Sequence, residues 1–94
     1  MPSSKYLQSI DQYVANNRDQ YEEMLGDLVE VPSVSMDPER KEDIHRGAEL
    51  VVHYLEGFGA EAQIYPTSGN PVVVGRFKVP GAKRTLSVYN HIDV

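Results

Sequence analysis

Glu61-Ala62-Gln63-Ile64-Tyr65-Pro66-Thr67-Ser68-Gly69-Asn70-Pro71-Val72-Val73-Val74-Gly75-Arg76-Phe77-Lys78-Val79 decides whether the chain is all-helical or α/β. In 61–65 and in the second half of 72–79 the apolar residues recur at every second position, not every third or fourth. Ala62 and Ile64 share one face of a first strand over 61–65. Thr67-Ser68-Gly69-Asn70-Pro71 gathers the residue types that turns require. Val72 to Val79 then reads as a second strand, alternating cleanly in its second half, with Arg76 and Lys78 as solubilising charge on the outside.

Two helices are expected ahead of this hairpin. Tyr6, Ile10, Tyr13, Asn17, Tyr21, Met24 and Leu28 recur at helical steps across 4–30, and Leu7, Val14, Leu25 and Val29 widen the stripe. Ser3 or Ser4 suits the cap, Asn16-Asn17 is a weak spot, and Pro32 ends the helix. Asp37-Pro38 opens a second helix with a capping acid and proline at the first helical position. Ile44, Ala48, Val51, Val52 and Leu55 form its buried stripe, and Gly57-Phe58-Gly59 stops it.

After the hairpin, Pro80 to Arg84 leads into Thr85-Leu86-Ser87-Val88-Tyr89-Asn90-His91-Ile92-Asp93-Val94, expected as a third strand antiparallel to the second. Leu86 and Val88 would face one way, and Ser87, Tyr89 and His91 the other. The expected fold is therefore α/β, two amphipathic helices on a small mixed sheet of about three strands. All 94 residues form one unit. Its order closes on an uncovered strand, so residues 1–94 are expected to be the first segment of a larger domain.

Composition narrows the function. The net charge of −5 argues against nucleic acid, which needs a basic patch. Cysteine is absent, so no disulfide or thiolate chemistry is available. No stretch reaches the roughly 20 apolar residues of a membrane span. The opening residues do not form a signal peptide, which leaves the cytoplasm as the expected compartment.

His91 and Asp93 are the residues with chemical promise. Two positions apart on an extended chain, they lie on one side, about 6.6–6.8 Å apart along the strand. One ring nitrogen of His91 could take a metal while the other donates to Asp93, which would fix the tautomer and raise ligand basicity. The plainer reading has His91 bonded to a loop and Asp93 capping a turn. His45, Glu49 and His53 share a helix face, but the spacing is not His-Glu-x-x-His and a solvated polar face accounts for it. Tyr6, Tyr13 and Tyr21 read as packing residues. Gly57 and Gly59 lack the lysine of a phosphate loop, and Ser33 and Ser35 lack the context of a nucleophile elbow.

Three segments carry a family resemblance. Leu28-Val29-Glu30-Val31-Pro32-Ser33-Val34-Ser35 resembles a helix-end segment, the helix from Pro38 to Phe58 with its Gly57-Phe58-Gly59-Ala60 exit resembles a second helix, and Tyr89-Asn90-His91-Ile92-Asp93-Val94 resembles a "GHxDV" strand end. Together they resemble the amino-terminal part of the di-zinc amidohydrolases and exopeptidases. That family includes acetylornithine deacetylase, succinyl-diaminopimelate desuccinylase, aminoacylase, glutamate carboxypeptidase and carnosinase-like dipeptidases. The resemblance runs along essentially the whole chain, although only the last segment is chemically specific. Asn90 stands where the family usually has glycine, a departure that touches backbone shape more than ligation.

The resemblance implies a three-layer α/β zinc-exopeptidase domain. It implies that His91 ligates one zinc and that Asp93 orients the ring without binding metal. A bridging carboxylate, a glutamate base, further carboxylates and a last histidine would lie beyond Val94. It further implies hydrolysis of a small peptide or N-acyl amino acid by metal-activated water, with two zinc ions, or cobalt or manganese in the same ligands. The family's dimer contacts often come from an inserted second domain, so a homodimer is a property of the intact protein. The isolated 94 residues are expected to be inactive, since a zinc site needs three or four protein ligands. The competing expectation is a small non-catalytic α/β module that uses its helix stripe or open sheet edge for contact.

Overall fold

The computed structural model describes residues 2–94. Helix α1 spans Pro2–Glu30, 29 residues or about 43 Å at 1.5 Å per residue. The helical backbone already includes Ser3 and Ser4, which the sequence reading placed at its start. The helix does not break at Asn16-Asn17. The Asn17 amide donates to the Tyr13 carbonyl at 2.8 Å, one turn back, and Arg18 pairs with Glu22 at 2.9 Å along the same surface. Pro32 follows and the chain turns.

Asp37 starts the next element as the sequence predicts. Its Oδ1 accepts the Glu39 N–H at 3.0 Å, capping a 3-10 turn over Pro38–Arg40 that runs directly into helix α2, Lys41–Gly57. Asp43 lies between Arg40 at 3.2 Å and Arg46 at 2.6 Å. At the other end the Gly59 N–H donates to Glu56 O at 3.0 Å and the Ala60 N–H to Leu55 O at 2.9 Å. This pair of bonds closes the helix with one left-handed residue, and Gly59 holds that place at φ +95°.

The strands are β1, Glu61–Tyr65, and β2, Val72–Arg76, paired antiparallel with Glu61 opposite Arg76 and Ile64 opposite Val73. Thr67 shapes the connection: its Oγ accepts from the Gly69 N–H and donates to the Asn70 carbonyl. Helix α2 packs on both strands and also meets α1. Gly75 lets α2 approach, because a Cβ there would come within 2.7 Å of the Leu55 side chain. The described residues thus form two helices packed with a two-stranded antiparallel sheet.

Two expectations need correction. The second strand ends at Arg76 and does not reach Val79, and residues 85–94 form no third strand. The turn between them does form, with the Ala82 N–H on Val79 O at 3.1 Å and Gly81 at φ +76°. What fails is cover. Phe77, Val79, Leu86, Val88 and Tyr89 have no layer to press against and all stay exposed. A hairpin extension without an apolar partner is marginal in water.

The α1 stripe is likewise only half used. Tyr21, Met24 and Leu28 are half-buried, but Tyr6, Leu7, Ile10, Tyr13 and Val14 each remain more than half exposed. Among the described residues Ile44, Ala48 and Ala60 are buried and apolar, and no large side chain is fully enclosed. The accessible surface is 8208 Å², against about 5,500 Å² for a compact monomer of this mass. The radius of gyration is 16.0 Å, against about 12 Å for a compact chain of this length. Among the described residues no helix is long and apolar enough to cross a membrane.

Candidate functional site

Residues 91–94 are anchored although no strand carries them. The Val94 N–H donates to the Ser33 carbonyl at 3.1 Å, and the buried Ser33 hydroxyl reaches the Ile92 carbonyl at 3.5 Å. Ser33 packs over α2. Gly47 lies beneath, and a Cβ on it would meet the Ser33 and Val31 side chains at 3.7 Å. The segment after α1 therefore grips the end of the chain, in the place where a sheet ladder was expected.

Within that grip, His91 Nδ1 lies 3.1 Å from Asp93 Oδ1. On its other oxygen, Asp93 accepts the Ser35 hydroxyl at 2.6 Å. The Ser35 carbonyl accepts from the Asn70 amide at 3.5 Å, which ties the β1–β2 connection to the same point. The Ser35 hydroxyl holds the Asp93 carboxyl below the usual carboxylate range; partial burial pushes the opposite way, and the hydrogen bond and charge of His91 lower it further. A carboxylate can only accept, so the hydrogen bond assigns the proton to Nδ1. In the neutral ring Nε2 then carries the lone pair. His91 and Asp93 are both exposed, so that lone pair is open to a ligand.

The helix-face triplet is not brought together as a site. His45 Nε2 pairs with Glu49 at 3.0 Å, while the His53 ring lies beside Tyr54, centroids 6.0 Å apart. All three residues are exposed. A shallow cleft of about 210 Å³ lies beside His45, lined also by Lys41, Ser68, Gly69, Asn70 and Pro71.

The donors around His91 match one position of a zinc site, an imidazole with its second nitrogen bonded to a carboxylate. They do not make a whole site. Among the described residues no group of three or more His, Cys, Asp or Glu side chains could hold a metal ion. Ser33 and Ser35 are what sequence reasoning missed. It tested them as nucleophiles, whereas their hydroxyls act as struts.

No protein-family model matches the chain, and no solved structure gives a significant match.

Proposed function

We propose that this chain contributes one corner of a two-zinc hydrolase centre, with His91 as a metal ligand through Nε2 and Asp93 as the residue that orients its ring. The 3.1 Å contact between His91 Nδ1 and Asp93 carries the reading, because it occupies one ring nitrogen and leaves the other for metal. Zinc, or cobalt or manganese in the same ligands, would supply an activated water and polarise an amide carbonyl. The chain's own residues present the imidazole and set its tautomer. The substrate class is a small peptide or an N-acyl amino acid. The remaining ligands, the general base and the substrate pocket come from polypeptide outside these 94 residues. The uncovered surface supports that assignment: it exceeds a compact monomer's by about 2,700 Å², more than the roughly 800 Å² that a standard interface takes from each partner. The wider setting is a three-layer α/β domain in which residues 85–94 pair as a strand, in a cytoplasmic enzyme that can act as a homodimer.

Zinc titration of the 94-residue chain by calorimetry tests the reading. Binding should be weak, should drop at least tenfold in His91→Ala, and should be unchanged in His45→Ala. No amide hydrolysis should accompany it. Stoichiometric zinc that survives dialysis, or binding lost through His45→Ala, would overturn the reading.

A second reading has an observation of its own. Tyr6, Leu7, Ile10, Tyr13 and Val14 form an exposed apolar face on α1, as a non-catalytic contact module would have. The zinc titration separates the two, because a contact module gives His91 no special part in metal binding.

A further inference from the structure

The hydrogen bonds around Asp93 extend one residue further than metal ligation requires. Asp93 spans two partners, with Oδ2 on the Ser35 hydroxyl at 2.6 Å and Oδ1 on His91 Nδ1 at 3.1 Å. Ser35 and Asp93 are 58 positions apart, so the contact belongs to the fold and not to a local turn. Ser35 is itself held in place. Two residues earlier Ser33 is buried and takes the Val94 N–H, and the Ser35 carbonyl accepts from Asn70. The hydroxyl stands on an anchored segment, and the carboxylate it reaches belongs to no strand.

We infer that Ser35 is a positioning residue for His91: its hydroxyl pins one oxygen of Asp93, so that the other holds the imidazole as the Nδ1–H tautomer with Nε2 facing outward. This rests on the reading of His91 as a ligand only for its purpose; the hydrogen-bonded chain is a property of the polypeptide alone. An exposed aspartate turns freely about its side-chain torsions. With one oxygen fixed, the rotamers compatible with the His91 contact are the ones retained. A neutral imidazole has two tautomers, and a carboxylate acceptor on Nδ1 selects one of them. Removing Ser35 Oγ should therefore act on a ring it does not touch.

The test is the long-range nitrogen–proton NMR spectrum of the histidines, recorded without metal at pH 8, where imidazole is neutral. His53, whose ring lies beside Tyr54 and which meets no carboxylate among the described residues, is the internal reference. In the unaltered chain His91 should be mostly the Nδ1–H form. Ser35→Ala should bring it to the tautomer mixture of His53, and Ser35→Thr, which keeps the hydroxyl, should restore it. Asp93→Ala should match Ser35→Ala, and the double substitution should add nothing further. A His91 tautomer indifferent to Ser35→Ala in a chain with unchanged far-UV circular dichroism would overturn the inference, and so would failure of Ser35→Thr to rescue it. Added zinc tests the other reading: a tautomer governed by Ser35 together with no zinc response at His91 would sink the metal assignment and leave the brace standing.

Discussion

Asp93 accepts hydrogen bonds on both of its oxygens, and this makes the end of an otherwise irregular chain a defined place. The His91–Asp93 pairing follows from a two-residue spacing and was legible in the sequence. The Ser35 contact was not, because it joins residues 58 apart and no local pattern encodes it. The residues that end α2 are a contrast. Gly57-Phe58-Gly59 announces a helix stop in sequence, and the structure puts Gly59 at φ +95°, with the Ala60 N–H returning to Leu55. An L side chain is strained there. Gly59→Ala should destabilise the chain by roughly 1–2 kcal/mol, read from the urea midpoint at constant slope. Gly57 lies within α2 and has no neighbouring atom within 4 Å of an added Cβ, so Gly57→Ala should cost nothing or stabilise slightly.

Helix α1 is two elements in energetic terms. Its carboxyl-terminal half meets α2 through Tyr21 against Phe58, ring centroids 6.2 Å apart, and through the Tyr54 hydroxyl donating to Asp27 at 3.1 Å. Its amino-terminal half has the same apolar stripe and nothing to set it against. Helices owe most of their stability to such packing. Hydrogen exchange should therefore be fast for the amides of residues 6–14 and slower for those of α2 around Ile44 and Ala48; equal protection along α1 would refute this division.

The contact between the helices should also depend on pH. Partial burial raises the Tyr54 phenol above its ordinary value; the hydrogen bond to Asp27 and the negative charges of Asp27 and Glu23 raise it further. A group raised on folding stabilises fully below its unfolded pKa, near 10 for tyrosine, and loses that contribution as pH rises through the folded value. The urea midpoint should fall above about pH 10, and Tyr54→Phe should remove part of the fall. The helices and first two strands were legible because their caps, turns and periodicities are local. The third strand was not, since residues 85–94 need a covering layer that no local pattern supplies.

At the scale of the molecule, the surface is half as large again as a compact monomer's, and among the described residues no large side chain is fully enclosed. Folding returns little apolar burial beyond Ile44, Ala48 and Ala60, so stability should lie at the low end of the range for natural domains. Under the proposed function, one imidazole oriented by one carboxylate would be a fraction of a metal centre, and the exposed apolar faces are where further polypeptide would pack.

The nitrogen NMR signals of His91 during zinc addition test the central claim most directly. The account predicts that Nε2 shifts toward a metal-bound position while Nδ1 keeps its proton and its bond to Asp93, and that His45 and His53 stay where they were. Zinc appearing at Nδ1, or at His45 and Glu49 with His91 untouched, would contradict it.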